Sequence, residues 1–216
     1  INGQWYPIVK MEWVEGKRLN EYIESILGRS DELKKLAVDF QSLVDELGRA
    51  GIAHGDLQHG NILVANGSLK LIDYDGMFVP QLRGMKSNET GHSSYQHPKR
   101  CNNDFGPHID RFPALAIYIA IRALALKPEL WSRFDNGDNI LFRRDDFLNP
   151  RNSDVFSALL TLGDREVNNL ASTLQHSCVL SITDVPELEK EESTIPIPPR
   201  GYVYTPKYGE EIKPVD

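Results

Sequence analysis

The chain has 216 residues, of which 40% are hydrophobic and 25% charged, values typical of one soluble globular domain with a short extension. Asp and Glu (31) exceed Lys and Arg (24), and the net charge of −7 argues against a protein that coats nucleic acid or an anionic membrane surface. Two cysteines cannot form a disulfide framework and favour a reducing, cytoplasmic location. The longest apolar stretch, 112–126, is too short to cross a bilayer. We therefore expect neither nucleic acid nor membrane as a partner.

The N-terminal residues predict a strand followed by a short helix. Residues 6–14 are rich in aromatic and β-branched side chains, which favour a strand, and Gly16 ends it. This strand has no partner nearby, so we expect the sequence, which opens at Ile1, to be a piece of a longer protein. Residues 19–27 have the pattern of a short helix.

A longer helix is predicted over residues 31–50. Its apolar residues recur with the i, i+3, i+4, i+7 spacing, acidic residues fill its first turn, and Gly51 ends it. Ser30 stands immediately before the first helical residue, where we expect it to act as the N-cap.

Two short apolar strands within residues 62–72 flank the dipeptide Asn66-Gly67, a strong signal for a two-residue hairpin turn. Such a turn pairs residues whose numbers sum to 133. Asn61 is therefore predicted to lie opposite Ile72, and Asp73 follows immediately. The hairpin thus delivers Asn61 and Asp73 side by side at its open end.

Asp56 lies five residues before Asn61, on the loop that enters the same end of the hairpin. Two carboxylates, those of Asp56 and Asp73, therefore converge with one amide oxygen. Hard oxygen ligands of this kind suit Mg²⁺, which completes its shell with substrate phosphates. A remaining carboxylate can accept a proton from an attacking hydroxyl. Each residue alone could equally terminate a strand or cap a turn, but their combination favours a site.

The rest of the chain predicts a long loop and a largely helical domain. Residues 76–109 have no sustained period, and loops of that length are usually functional or disordered. Asp110 begins a helix that is apolar almost all round, as expected at the centre of a domain. Weaker helices are predicted over about 153–162 and 164–178, and residues 186–216 are proline-rich, as in an extended tail.

Several of these segments resemble the protein kinase-like superfamily. HGDLQHGN (54–61) followed by LKLIDYDG (69–76) resembles the catalytic loop and metal-binding motif, H-R-D-x-x-x-x-N and D-F-G. MEWVEG (11–16) resembles the hinge between the two lobes, with Met11 in the gatekeeper place, and GHSSYQHP (91–98) resembles the end of an activation segment. In order and spacing the likeness covers roughly residues 5–126.

The resemblance implies an α+β protein kinase-like fold: a mostly helical C-terminal lobe with a small β-hairpin at the active site, and an N-terminal lobe largely absent from this chain. Residues 1–16 would then form the last N-lobe strand and the hinge. Residues 17–185 would form the C-terminal lobe, and residues 186–216 the tail.

The resemblance also implies roles for individual residues. Asp56 would be the catalytic base that orients the substrate hydroxyl, while Asn61 and Asp73 would hold Mg²⁺ against the nucleotide phosphates. His54 would support the metal-binding turn, and an ordinary buried, hydrogen-bonded histidine is an equally good interpretation. Asp110 would receive backbone N–H groups of the catalytic loop, or else act as a simple helix N-cap.

ATP is the nucleotide that the resemblance implies, with Mg²⁺ as its metal. The backbone of Glu12 and Val14 would bind adenine, with Met11 beside it. Leu63 and Gln58 would also contact the nucleotide. The implied acceptor is a Ser or Thr hydroxyl of a protein.

The sequence departs from the family pattern at several positions. Gly55 replaces the arginine that reads activation-loop phosphorylation, and Gln58 replaces a lysine near the transferred phosphate. Asp75 replaces the glycine of D-F-G, and Lys99 replaces the glutamate that closes the activation segment. A glycine-rich phosphate loop and its partner strand lysine would lie before Ile1.

Three further interpretations compete with a Ser/Thr protein kinase. Gly55 and Gln58 also suit small-molecule kinases of the aminoglycoside and choline kinase type, whereas the segment 91–98 favours a protein substrate. A pseudokinase or scaffold would bind nucleotide or a partner without turnover. A zinc site is a weaker alternative. Its candidate ligands are His92, His97, Cys101 and His108.

Overall fold

The structure, a computed structural model that describes residues 13–188, is helix-rich with one small antiparallel sheet. The strands are β1 (Lys17–Arg18), β2 (Ile62–Ala65) and β3 (Ser68–Leu71), in the order β1-β2-β3. The helices are α1 (Leu19–Ser25), α2 (Ser30–Ala50), α3 (Arg111–Leu126), α4 (Glu129–Phe134), α5 (Arg144–Leu148), α6 (Asp154–Leu160) and α7 (Arg165–Ser177).

Helix α3 forms the centre of the lobe. Its side chains are apolar on every face, and all but the ends and Arg122 are buried. Helices α2 and α7 pack against it with their apolar faces, and α4 also contacts it. This arrangement confirms the helices predicted around 19–27, 31–50, 153–162 and 164–178 and the central helix after Asp110. Helices α4 and α5 were not predicted, because five or six residues are too few to show a period.

Ser30 is the first helical residue of α2 rather than its N-cap, so that prediction is wrong. Its hydroxyl donates a hydrogen bond to the backbone oxygen of Ala125, at 2.8 Å. The last carbonyls of a helix have no partner within the helix, and Ser30 satisfies one of them at the end of α3. The serine therefore ties α2 to the central helix.

The hairpin has the predicted register. Ile62 pairs with Leu71, and the turn residues Asn66 and Gly67 have φ angles of 50° and 76°, as a primed two-residue turn requires. The N–H of Ile72 donates to the backbone oxygen of Asn61 at 3.0 Å, which continues the pairing one step beyond the strands. The predicted pairing of Ile72 with Asn61 is thus observed, and Asp73 is the next residue along the chain.

The strand predicted over residues 6–14 lies almost wholly outside the described residues. Its described end, Trp13 to Val14, has no regular secondary structure. The sheet instead gains β1 just after Gly16, through pairing of Lys17 with Val64 in β2.

The long loop after β3 is hydrogen-bonded to the residue that precedes the 54–61 loop. Ala53 and Phe78 form an antiparallel bridge with backbone hydrogen bonds in both directions, and both side chains are buried with Ile109. Leu188, at the end of the described chain, is also buried in the main core. Within residues 13–188, no helix has the length and apolar character needed to span a bilayer.

Candidate active site

Asp110 holds the start of the HGDLQHGN loop. Its carboxylate accepts a hydrogen bond from the N–H of Gly55, at 2.9 Å, and a second from the N–H of His54. Asp110 occupies the N-cap position of α3, but its side chain makes no capping hydrogen bond to that helix and bonds to the 54–55 backbone instead. Burial raises the pKa of Asp110, and the two N–H donors act in the opposite direction. The buried carboxylate therefore fixes the catalytic loop to the central helix.

Replacing Asp110 by Ala is expected to lower the free energy of unfolding by about 2–6 kcal/mol, because two buried N–H groups lose their acceptor at roughly 1–3 kcal/mol each. Asp110→Asn keeps one acceptor oxygen and is expected to lose about half as much. Urea unfolding of the two variants checks this. An unchanged urea midpoint for Asp110→Ala would contradict a stabilising role for these two hydrogen bonds.

His54 supports both Asp56 and the turn before Asp73. The ring is fully buried, its Nε2 lies 2.9 Å from the backbone oxygen of Ile72, and its Nδ1 accepts the N–H of Asp56 at 3.4 Å. Because Nδ1 accepts, the proton resides on Nε2, which donates to Ile72. His54 is thus a buried, hydrogen-bonded histidine that contacts the residue just before Asp73, and its support of a metal-binding turn stays a prediction.

Asp56 and Asn61 are joined directly. The Nδ2 of Asn61 donates to Asp56 Oδ2 at 2.9 Å and to the backbone oxygen of Asp56 at 3.0 Å. Both amide hydrogens are thereby used, so Oδ1 is the atom through which Asn61 could bind a metal. Gln58 instead serves the short turn His59–Asn61, because its Oε1 accepts the N–H of Gly60 at 2.7 Å.

Asp73 follows β3 in a strained conformation. Its φ of 63° is left-handed, which costs a non-glycine residue about 1–3 kcal/mol and is typical of functional sites. The side chain is exposed at the open end of the hairpin. The pairing of Ile72 with Asn61 brings this carboxylate to the same end as the amide of Asn61.

Glu89 joins this end of the site and was not predicted. A Cβ at Gly76 would lie 2.7 Å from its Oε1. Burial raises the pKa of Glu89, and the negative charges of Asp56, Asp73 and Asp75 raise it further. The sequence offers no signal for this position, because Glu89 belongs to the long loop whose path depends on tertiary contacts. The concentration of carboxylates means that phosphate groups need a cation to approach.

The donor set of Asn61 and Asp73 fits Mg²⁺. This ion takes one or two protein ligands and keeps water and substrate phosphates for the rest of its shell. In the part of the chain that the structure describes, no three His, Cys, Asp or Glu side chains are grouped to hold a metal. The zinc alternative therefore finds no support. His92 instead bonds to Asp138 and His97 to the backbone oxygen of Ser177, while Cys101 is an exposed free cysteine.

The segment 91–98 lies against the catalytic loop and ends on α7. At its start, the N–H of His92 donates to Asp56 Oδ1 at 2.6 Å. At its end, His97 Nε2 is 2.9 Å from the backbone oxygen of Ser177. The ammonium of Lys99 donates to the carbonyls of residues 179 and 180, at 2.6 and 3.1 Å. Lys99 thus bonds to backbone carbonyls that follow the end of α7.

Buried histidines predict an acid-sensitive fold. Burial lowers the pKa of His97 and of His59, which contacts the hydroxyl of Tyr95 at 2.6 Å. A histidine whose folded pKa is lowered binds fewer protons in the folded state. Stability is therefore complete above the unfolded pKa of about 6.5 and is lost as the pH falls from there through the folded pKa.

Urea unfolding between pH 7.5 and 5 is expected to show this loss. His97→Gln, which keeps a side-chain donor for Ser177, should reduce the slope against pH. The same slope in the variant and the parent protein would exclude His97 as a source.

The comparisons with known proteins bear on the fold of this chain. No protein-family model matches the chain. It is 34% identical over 67 residues to the KEOPS complex subunit Bud32 of Pyrococcus abyssi, a match that covers 31% of this chain and 30% of that protein. It is similar in structure to the kinase PK-1 of Cydia pomonella granulovirus, with a TM-score of 0.51 and 16% identity over 79% of this chain and 62% of the viral one.

The chain adopts a protein kinase-like fold. It spans 30% of the length of the curated relative and 62% of the viral kinase. In this kinase-like lobe Val14 is half-buried just before β1 and Leu63 is buried in β2. Met11 and Glu12 lie outside the described residues. The nucleotide contacts of these residues and of Gln58 stay predictions.

Proposed function

We propose that this chain is the C-terminal lobe of an ATP-dependent phosphotransferase that acts on Ser or Thr hydroxyls of proteins. The observation that carries the proposal is the hydrogen-bonded pair Asp56–Asn61 at the open end of the hairpin, next to Asp73. That arrangement occurs in a protein kinase-like fold with the catalytic loop held by Asp110.

In the proposed reaction the acceptor oxygen forms a bond to the γ-phosphorus of ATP while the bond from that phosphorus to the β–γ bridging oxygen breaks, and ADP leaves. Asp56 orients the acceptor hydroxyl and receives its proton. Asn61 and Asp73 would hold Mg²⁺, which when bound neutralises charge on the phosphates. Asn61 also keeps the carboxylate of Asp56 in place through its amide.

A protein acceptor is favoured over a small molecule by the segment 91–98. It is buried from Ser94 to His97, and His92 at its start bonds to Asp56, so the segment is held beside the proposed base. Gly55 is not specific evidence for a small-molecule kinase, because the packing of the backbone at this position requires glycine. A Cβ there would lie 2.0 Å from the backbone oxygen of Gly76.

The test uses the longest natural chain that contains this segment, with γ-labelled ATP and Mg²⁺. The acceptors are the protein itself, a generic protein mixture, and in separate reactions an aminoglycoside and choline. Label on Ser or Thr that disappears with Asp56→Asn supports the proposal. Label on a small molecule alone would replace it by the small-molecule kinase. Binding of Mg·ATP with no transfer would replace it by a pseudokinase.

A further inference from the structure

A second histidine, His92, contacts Asp56 through its backbone, at the carboxylate, whereas His54 contacts the backbone N–H of Asp56. Its backbone N–H donates to Asp56 Oδ1 at 2.6 Å, while Asn61 donates to Oδ2 at 2.9 Å. Each carboxylate oxygen thus has its own donor. Two donors on different oxygens prevent rotation of the carboxylate, and hydrogen bonds to a charged acceptor are among the strong ones.

The ring of His92 is itself held at both nitrogens. Nδ1 accepts the N–H of Ser94 at 3.2 Å, and Nε2 lies 2.9 Å from Asp138 Oδ1. Because Nδ1 accepts, the proton is on Nε2, and Nε2 donates to the carboxylate of Asp138. The ring therefore connects the loop after α4 to the segment that contacts Asp56.

The loop that carries Asp138 is internally ordered. Asn139 is fully buried, its Nδ2 donates to the backbone oxygen of Phe134 at 3.2 Å, and its Oδ1 accepts the N–H of Asn136 at 3.0 Å. The N–H of Asp138 in turn donates to Asn136 Oδ1 at 3.1 Å. These contacts give Asp138 a fixed place although its side chain is mostly exposed.

The backbone before His92 permits the close approach. Gly91 has a φ of 72°, and a Cβ at this position would lie 2.7 Å from Asp56 Oδ1 and 2.9 Å from the backbone oxygen of Gly55. Only a residue without a side chain lets the N–H of His92 reach the carboxylate. The geometry is thus built from three separate segments: the catalytic loop, residues 91–94 and the loop after α4.

We propose that His92, held by Asp138, is a positioning residue that fixes the carboxylate of Asp56 for reaction. The inference rests on the proposed function and deepens it. Within the described residues, the hydrogen bonds and ring contacts of His92 do not include Asn61 or Asp73, which would hold Mg²⁺. Its loss should therefore reduce kcat and leave the KM for ATP unchanged.

The kinetic arm compares His92→Ala with His92→Gln in the full chain. His92→Ala is expected to lower kcat by about 10- to 100-fold, the effect of a slightly misplaced catalytic group. His92→Gln retains a donor for Asp138 and should restore most of the rate. A merely structural role would not give this rescue together with an unchanged KM. Equal kcat for His92→Ala and the parent chain would overturn the proposal.

The second arm needs no activity. The hydrogen exchange rate of the His92 amide, and the ¹⁵N shifts of its ring, are measured by NMR in the parent chain, in Asp138→Ala and in Asp135→Ala. Asp135→Ala is the matched control, because it removes the same charge from the same loop, where the carboxylate of Asp135 accepts the local N–H of Gly137. Asp138→Ala should speed exchange at His92 about tenfold, the loss of roughly one hydrogen bond, while Asp135→Ala should not.

Identical exchange rates of the His92 amide in Asp138→Ala and the parent chain would overturn the proposal that Asp138 holds His92. If the parent chain transfers no label at all, the proposed function fails, and the exchange rates alone then support or overturn the fixed geometry of Asp56.

Discussion

Asp56→Asn is expected to lower the rate of phosphoryl transfer by about 10²- to 10⁴-fold, the usual contribution of a general base, while the affinity for Mg·ATP stays nearly unchanged. The amide cannot accept the proton of the acceptor hydroxyl. It still has an oxygen for the N–H of His92 or the amide of Asn61, so the loop should keep its shape. Label transfer gives the rate, and calorimetric titration of Mg·ATP gives the affinity.

Asp73→Ala should have the opposite profile, loss of Mg·ATP binding together with loss of turnover, because a metal ligand is removed. Asp75→Ala is the matched control: it removes an acidic neighbour on the same turn that faces Glu89 but has no proposed ligand role. Equal loss of nucleotide affinity in Asp56→Asn and Asp73→Ala would contradict the division of roles between them. The same loss in Asp75→Ala would mean that overall negative charge, and not a specific ligand, governs binding.

The parts of the site that the sequence predicts are those set by local rules. The Asn66-Gly67 turn determines the pairing register, and the register places Asn61 opposite Ile72. Asp56 follows from its short separation from Asn61 on the same loop. For Asp110 local rules allow two roles, and only the motif resemblance indicates that its carboxylate leaves its own helix to bind the catalytic loop.

The remaining contacts depend on where long loops pass in space. Glu89 reaches the site through a segment without a period, and His92 meets Asp138 across 46 residues of sequence. Ser30 has a typical N-cap position but bonds to Ala125, 95 residues away. Local patterns carry no information on such distant partners.

Three histidines make the same pair of contacts: Nδ1 accepts the N–H of the residue two positions later, and Nε2 lies within hydrogen-bond distance of a residue far away in the sequence. These are His54, His92 and His97.

Gly55→Ala is expected to be among the most damaging single substitutions in the lobe. The φ of 84° is left-handed, which costs an alanine about 1–2 kcal/mol. A Cβ would also lie 2.0 Å from the backbone oxygen of Gly76, and relief of such an overlap by backbone shifts costs about 1–3 kcal/mol more. We therefore expect a loss of about 2–5 kcal/mol in the free energy of unfolding, and displacement of the adjacent Asp56.

Gly67→Ala separates the two causes. Its φ of 76° is also left-handed, but nothing lies within 4 Å of an added Cβ, so it should lose only the conformational part, about 1–2 kcal/mol. Urea unfolding of both variants, with label transfer for Gly55→Ala, measures the difference. Equal losses would show that the contact with Gly76 is easily relieved. In that case packing would not explain why Gly55 stands where the kinase motif has an arginine. A larger loss at Gly55 would mean that the close packing of the catalytic loop on the turn after Asp73 excludes any side chain at this position.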